Sequence, residues 1–223
     1  MDYFELLKKS TRKFNNLRSQ CDAEIRAYDW KDKNFSGLKL DGANLSELDL
    51  TGSFFNSASL VKTNFSGAIL NRTSLKNVQA SFSIFEGCKL SDAVATNSNF
   101  EEANFTSAEC KKTDFSYCIF YRTVFYKTDL YNSNLKYCDF TQANLKEAIL
   151  SGSDLNHSDL SESILIKADL SFTNVKDTIF EKIPAKNLKK INFCGTNLKV
   201  CRPPFKKEIA KKRQIIFDEL TIF

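Results

Sequence analysis

The sequence from residue 133 to residue 155 is SNLKY CDFTQ ANLKE AILSG SDL, and its pattern decides the fold. A bulky apolar residue returns at every fifth position, a small residue stands two places before it, and Asn or Asp often stands between them. The spacing continues from Phe35 to Phe180 without an insertion, which makes 30 units, and the bulky residue is Leu or Phe in 26 of them. The chain therefore contains a long internal repeat with a period of five residues.

A period of five fits neither regular element, since a helix repeats every 3.6 residues and a strand every 2.0. The chain must therefore turn within every unit. Glycine accepts a positive φ without steric cost, and a turn of the second type needs such a residue at its third position. Six of the seven glycines stand two places after the bulky residue, namely Gly37, Gly42, Gly52, Gly67, Gly87 and Gly152. Each unit is predicted to be a short extended stretch followed by a corner.

The spacing of the phenylalanines predicts how many units close one coil. If the corners are near right angles, four units form a coil of 20 residues, and stacked coils lie about 4.8 Å apart. Phenylalanines pair six times at a separation of 20 residues and four times at a separation of 15. The six pairs are Phe35/Phe55, Phe65/Phe85, Phe85/Phe105, Phe105/Phe125, Phe100/Phe120 and Phe120/Phe140. The bulky and small side chains are expected to fill a rod about 36 Å long.

The order of a small residue, Asp or Asn, Leu or Phe, Ser or Thr, and Gly resembles the pentapeptide-repeat family. The resemblance covers about 150 residues without a gap. It implies an all-β solenoid, a right-handed quadrilateral parallel β-helix of about eight coils. A leucine-rich repeat is the alternative, but that fold needs a period of 20 to 29 residues with a helical segment in each repeat.

Both ends of the repeat are expected to be covered, because a solenoid otherwise exposes its apolar end coils. Residues 1–24 are predicted to form an amphipathic helical cap, and the β-helix is predicted over 25–183. Pro184 cannot donate to a ladder, and the register slips by three residues after it, so a bulge and a shifted final coil are predicted over 184–201.

Residues 202–223 are predicted to form a basic C-terminal helix. In family members that protect a topoisomerase, a C-terminal segment joins two rods into a dimer. The resemblance therefore leaves two roles open for this segment, a cap on its own rod and a homodimer contact.

The composition is that of a soluble protein with a sizeable core, since 42% of the residues are hydrophobic and 26% are charged. No apolar run approaches the roughly 20 residues of a membrane helix, and residues 1–10 lack a signal-peptide core. A cytoplasmic protein without a membrane partner is expected.

The net charge of +5 is divided unevenly, with +1 on residues 1–30, −3 on residues 31–180 and +7 on residues 181–223. Family members that imitate a DNA duplex bind gyrase through a strongly negative surface, and a duplex as long as this rod carries about 21 phosphates. Protection of gyrase is therefore the alternative function rather than the first. The basic tail suggests weak, salt-sensitive binding of nucleic acid as a third one.

One part of the repeat combines basic and aromatic residues at outward positions. Tyrosine among lysine and arginine is typical of an interface anchor or of a stacking surface for nucleic acid, and two interrupting aspartates favour a protein partner. A solvated coil whose long side chains only cover the turns is the alternative. The candidate interaction residues are Lys111, Lys112, Tyr117, Tyr121, Arg122, Tyr126, Lys127, Tyr131, Lys136 and Tyr137.

A second outward strip lacks charge and could seat a helix or another rod, but a plain sheet face with strand-forming residues is the favoured explanation. Its members recur every 20 residues and are Asn44, Asn64, Ile84, Asn104, Val124, Asn144 and Ile164.

No catalytic constellation or phosphate-binding loop is present in the sequence, and His157 has no predicted base partner. The periodic aspartates are expected to bond to turn backbone, and they are Asp49, Asp114, Asp129, Asp139, Asp154, Asp159 and Asp169. Seven cysteines occur without a CxxC pair, so no zinc or other metal site is expected, and Cys88, Cys110, Cys118 and Cys138 are predicted to be buried free thiols. We expect a protein-interaction module that is not an enzyme and has no cofactor.

Overall fold

The computed structural model describes residues 1–202 and 221–222. Over residues 31–180 every unit of five consists of two turn residues and a short extended stretch with one bridged residue. The bridges are parallel and join residues 20 apart, from Asn34 with Phe54 to Asp159 with Ile179. The coil therefore has 20 residues and four sides, as the spacing of the phenylalanines predicts.

Pairing between coils differs from that of an ordinary sheet. In the described part of the chain each side contributes an isolated bridge rather than a strand of several residues, because two of its five residues form the corner. A hydrogen bond closes most corners, for example from Ala43 N–H to the Leu40 carbonyl at 2.9 Å. Other bonds join the coils, for example from Phe105 N–H to the Val124 carbonyl at 2.7 Å. These bonds satisfy the backbone without continuous strands.

The second residue of each corner has a positive φ, as predicted from the glycines. Among them Gly87 has a φ of 63° and Gly52 a φ of 72°. Most corners nevertheless hold another residue in the same conformation, such as Tyr117 at 62° and Lys127 at 56°. The stacked coils thus impose the left-handed conformation even where the local sequence does not favour it.

The interior is a shaft of stacked rings. All six predicted phenylalanine pairs are stacked, with ring centroids between 4.5 Å for Phe35/Phe55 and 5.5 Å for Phe100/Phe120. Phe105 lies 4.6 Å from Phe85 and 5.1 Å from the next ring of its column. These distances match the spacing of the coils, so each ring packs on its equivalent one turn later.

The small inward residues carry the polar atoms of the shaft. Thr123 Oγ1 donates to the Phe100 carbonyl at 2.7 Å, and Thr128 Oγ1 donates to the Phe105 carbonyl at 2.6 Å. Such bonds offset the cost of burying a hydroxyl. Ser163 is an exception, because its buried Oγ lacks a hydrogen-bond partner within the described residues.

Three short helices precede the coils in place of the single helix predicted over 1–24. They are α1 (Tyr3–Lys9), α2 (Thr11–Arg18) and α3 (Asp22–Ala27). Ser10 separates the first two, since its backbone is extended and its Oγ accepts from Lys13 N–H at 3.2 Å. An N-cap of this kind starts a new helix instead of continuing the old one.

The helices lie against the first coils. Leu7, Phe14 and Ile25 are fully buried with the core. Asn15 donates to the Gly42 carbonyl at 2.8 Å and accepts from Asn44 N–H at 2.8 Å. The side chain of this one residue thus bonds to the backbone of the coil beneath it.

The register slips by three residues after Pro184. The bridge from Asp169 reaches Asn192 and the bridge from Ile179 reaches Arg202, so both span 23 residues instead of 20. A 3₁₀ helix, Ala185–Leu188, takes up the extra residues where a bulge was predicted.

A second 3₁₀ helix, Leu198–Val200, follows, and Ile222 pairs with Asn197. The C-terminal helix predicted over 202–223, and its roles as a cap or a dimer contact, lie outside the described residues except for 202 and 221–222.

Candidate interaction surface

The four corners of the coil organise the outer surface. We name them by one coil: corner A at residues 121–122, corner B at 126–127, corner C at 131–132 and corner D at 136–137. Residues 20 apart belong to the same corner, and a side is named by the two corners that it joins. Side DA is therefore opposite side BC.

The structure distributes the ten candidate residues over all four corners. Corner A holds Tyr121 and Arg122, corner B holds Tyr126 and Lys127, corner C holds Lys111, Lys112 and Tyr131, and corner D holds Tyr117, Lys136 and Tyr137. Corners A and C are diagonally opposite, as are corners B and D. A partner lying on one flat side therefore contacts only part of the set.

Acidic neighbours neutralise most of the cations in the set. The pairs are Lys111 with Asp129 (3.2 Å), Lys136 with Asp154 (3.1 Å), Arg122 with Glu102 (3.9 Å) and Lys127 with Glu147 (4.0 Å). Lys112 forms no ion pair with a described residue. Exposed pairs of this kind add little stability, but they lower the positive potential that a phosphate backbone needs.

Corner D carries a ladder of stacked rings on the outside of the rod. Tyr117 lies 4.8 Å from Tyr137, and Tyr137 lies 4.9 Å from His157. The two tyrosines remain 55% and 45% exposed. His157 Nε2 lies 3.9 Å from Asp177 Oδ2, which corrects the expectation that this histidine has no partner.

Side DA gathers exposed and half-buried apolar groups next to this ladder. Tyr117, Ile119 and Tyr121 are successive outward residues of one coil, and Tyr137 follows in the next coil. Ile119 is 44% exposed, and the Arg122 guanidinium lies 4.9 Å from the centre of the Tyr121 ring. A contiguous patch of this composition is typical of protein interfaces.

Sequence reasoning missed Ile119 and the role of His157. The signal for Ile119 was the alternation of outward residues around the inward Cys118, and the signal for His157 was its separation of 20 residues from Tyr137. Both signals require the corner positions to be compared coil by coil rather than along the chain.

The uncharged strip occupies side AB. Its asparagines serve the turns, since Asn104 Oδ1 accepts from Thr106 N–H at 2.9 Å. The strip ends at an open groove of about 620 Å³, which is lined by Gln142, Glu162, Ile164, Lys182, Pro184, Lys186 and Asn187. The shift in register forms this groove.

The seven periodic aspartates make the hydrogen bonds predicted for them. Each Oδ1 accepts from the backbone N–H two residues later, at 2.8 Å for Asp139 and Asp159 and at 3.2 Å for Asp49. The same bond is formed by Asp114, Asp129, Asp154 and Asp169. Their regular spacing therefore follows from the turns.

The inward cysteines are buried free thiols, as predicted. Cys118 Sγ donates to the Ala95 carbonyl at 2.9 Å, and burial raises the pKa of this thiol to about 12. Among residues 1–202 and 221–222 no cluster of His, Cys, Asp and Glu is arranged to hold a metal ion. No helix in that part of the chain is long and apolar enough to cross a membrane.

Comparison with protein families decides the classification. A model described as pentapeptide repeats matches in eight copies, over residues 39–77, 83–121, 108–146, 123–161 and 143–181. The chain belongs to the pentapeptide-repeat family. Its fold is accordingly the right-handed β-helix solenoid of that family.

A solved structure of a pentapeptide-repeat protein shares this fold. A trypsin-treated variant of QnrB1, a plasmid-mediated fluoroquinolone resistance protein, matches with a TM-score of 0.59 and 15% identity over 85% of this chain and 91% of that chain. HetL of the cyanobacterium Nostoc, which is involved in regulating heterocyst differentiation, matches with a TM-score of 0.27 and 19% identity over 78% and 96%. A sequence comparison with curated proteins finds no match.

Proposed function

We propose that this pentapeptide-repeat protein is a rigid, non-catalytic module that binds another protein through its outer surface. The observation that carries the proposal is the patch on side DA, formed by the exposed Tyr117, Ile119 and Tyr137 and the half-buried Tyr121. Tyrosine and arginine are enriched among the residues that dominate binding energy, and Arg122 lies on the edge of this patch.

The core does not depend on the patch. The bulky inward residues on either side of Ile119, Phe115 and Phe120, are fully buried and contact other rings of the shaft. Outward residues can therefore be selected for binding without loss of the fold. A surface that is already ordered also loses little entropy when a partner binds.

The interaction surface predicted from the ten candidate residues remains a proposal. We narrow this surface to the residues that border side DA. Tyr117, Tyr121, Arg122 and Tyr137 flank this side, whereas the residues of corners B and C face away from it. A protein is favoured over nucleic acid because internal ion pairs neutralise most of the basic residues in the set.

A photo-crosslinking experiment tests the proposal. Benzoylphenylalanine is placed at position 119 on side DA and, as the matched control, at position 149 on the opposite side BC. Ile119 and Ile149 are 44% and 40% exposed at equivalent outward positions. Irradiation in native lysate is expected to yield a protein adduct from position 119 only. No adduct from position 119, or the same adducts from both positions, would contradict the proposal.

Binding to DNA gyrase is a second candidate, because the fold is shared with the fluoroquinolone resistance protein QnrB1. The net charge of −3 on residues 31–180 opposes it, since imitation of a duplex needs far more negative charge. Gyrase supercoiling in the presence of a quinolone is the direct assay. Restored supercoiling on addition of the purified protein would establish this function, and continued inhibition would exclude protection.

A further inference from the structure

An outward side chain has a regular neighbour 18 residues earlier, at the first corner residue of the preceding coil. Asp41 Oδ1 accepts from Ser59 Oγ at 2.5 Å in this arrangement. Lysine at the earlier position pairs with aspartate at the later one, and these pairs are Lys31 with Asp49 (3.0 Å), Lys111 with Asp129 (3.2 Å) and Lys136 with Asp154 (3.1 Å). The fold therefore contains a repeated place for an ammonium group beside an outward carboxylate.

At two other aspartates an asparagine amide of the following coil donates a hydrogen bond instead, although a neutral amide leaves the carboxylate charge in place. Asn134 Nδ2 donates to Asp114 at 2.9 Å, and Asn192 Nδ2 donates to Asp169 at 2.9 Å. Five of the seven periodic aspartates thus have a lysine or an asparagine partner, and they are Asp49, Asp114, Asp129, Asp154 and Asp169.

The two remaining aspartates both lie on side DA. The residue 18 places before Asp139 is Tyr121, and the residue 18 places before Asp159 is Thr141. Asp139 and Asp159 are bridged to each other in adjacent coils, and neither forms an ion pair with a described residue. Each uses Oδ1 for its own turn, so the second oxygen of each remains available for a ligand.

These carboxylates adjoin the exposed patch. Asp139 is bridged to Ile119 in the preceding coil, and Tyr137 lies two residues before it. Tyrosine rings attract an ammonium or guanidinium group through their faces, and a carboxylate attracts it through its charge. The side combines apolar area with uncompensated negative charge, so its complement is both apolar and basic.

We propose that side DA binds a segment of a partner protein in which lysine or arginine residues accompany apolar residues. The inference rests on the proposed function and names the chemistry of the partner. A lysine or arginine of the partner lies beside Asp139 and Asp159, as Lys111 lies beside Asp129. The apolar residues of the partner segment cover Ile119. An acidic segment or a nucleic acid is repelled by the same carboxylates.

The variant that tests this inference is Asp139→Asn with Asp159→Asn. Asparagine already occupies the equivalent outward position elsewhere, where Asn99 Oδ1 accepts from Glu101 N–H at 2.8 Å. The variant therefore keeps the turns and removes only the charge. The matched control is Asp129→Asn with Asp154→Asn, which removes the same charge from aspartates that already have a lysine partner.

The probes are a short fluorescein-labelled peptide of alternating leucine and lysine and the same peptide with glutamate in place of lysine. The lysine peptide is expected to bind the wild-type protein, to bind the side DA variant about tenfold more weakly and to bind the control variant about as well as wild type. The glutamate peptide is expected not to bind. Failure of the lysine peptide to bind wild type, or equal loss in both variants, would overturn the inference.

Photo-crosslinking from position 119 in the two variants separates this inference from the proposed function. Loss of the adduct in the side DA variant alone is expected. If both variants retain the adduct, the assigned chemistry is wrong and the binding function stands. If the wild-type background gives no adduct, the binding function itself is wrong.

Discussion

Phe105 and Tyr117 each stack on an aromatic residue 20 places later, at 5.1 Å and 4.8 Å respectively. Phe105 is fully buried in the shaft, whereas Tyr117 is 55% exposed at corner D. The same coil spacing therefore produces two kinds of stack, one that is buried and stabilises the rod and one whose rings remain exposed on its outer surface. The period of five assigns a residue to the interior or the exterior, and the burial of its side chain then determines how much it stabilises the fold.

The largest expected effect comes from breaking the inner stack. Phe105→Ala removes a ring that packs between two others and leaves a cavity, so the free energy of unfolding should fall by about 3–5 kcal/mol. Tyr117→Ser at the outer stack should cost only about 1 kcal/mol, because much of its ring is already in water. Urea denaturation of both variants measures the difference, and equal losses would contradict the division into an inner and an outer stack.

Two buried serines test how far the hydrogen bonds of the small inward residues stabilise the fold. Ser158 Oγ donates to the Leu135 carbonyl at 2.5 Å and accepts from Cys138 N–H at 3.1 Å. Ser158→Ala leaves that amide buried without a partner, which should cost about 1–3 kcal/mol. Ser163→Ala removes a hydroxyl that has no partner among the described residues, so the free energy of unfolding should stay unchanged or rise slightly.

The same urea measurement compares the two serine variants. A loss of stability in Ser163→Ala as large as that in Ser158→Ala would show that hydrogen bonds do not determine how much the small inward residues contribute to the free energy of unfolding.

The buried thiols give the interior a dependence on alkaline pH. Burial raises the pKa of Cys118 from 9.0 to about 12, so the unfolded chain loses this proton first. The stabilisation is complete below pH 9 and is lost as the pH rises toward 12. Threonine occupies equivalent inward positions elsewhere, so Cys118→Thr should fit the shaft. The free energy of unfolding of this variant should fall by about 1 kcal/mol less than that of wild type between pH 8 and pH 10. Identical pH profiles of wild type and variant would contradict this assignment.

The smallest effects are expected at the corners. Gly87 has a φ of 63°, and an added Cβ would meet nothing within 4 Å. Gly87→Ala should therefore lower the free energy of unfolding by about 1 kcal/mol, because alanine must adopt the left-handed conformation. Gly87→Asn should cost less, because asparagine tolerates this conformation. Thermal unfolding gives the unfolding temperature of the two variants. A larger decrease for Gly87→Asn than for Gly87→Ala would show that φ does not determine which residues the corner tolerates.

The architecture could be predicted from sequence because it depends on one short-range pattern. The bulky residue, the small residue before it and the glycine after it each recur at a fixed place, and the stacking of Phe65 on Phe85 follows from counting. Where the pattern ends, prediction was less successful. The break at Ser10 depends on a capping bond, and the 3₁₀ helix, Ala185–Leu188, depends on how the chain absorbs its three extra residues.

The candidate site was harder to predict because its contacts join residues that are distant along the chain. The basic and aromatic belt lies close together in sequence, but successive corners direct its members to different sides. Lys136 is compensated by Asp154, whereas Asp139 lacks such a partner among the described residues, and this difference appears only when residues 18 places apart are compared.

The central claim is that the interior maintains the fold while side DA binds a partner. A variant with Tyr117→Ser, Ile119→Thr, Tyr121→Ser and Tyr137→Ser tests both parts when its affinity capture of protein from native lysate is compared with that of wild type, on protein whose circular dichroism has been recorded. We expect the β-solenoid spectrum of wild type, a free energy of unfolding within about 2 kcal/mol of wild type, and loss of the captured partner. A folded variant that captures the partner as well as wild type, or a variant that no longer folds, would contradict it.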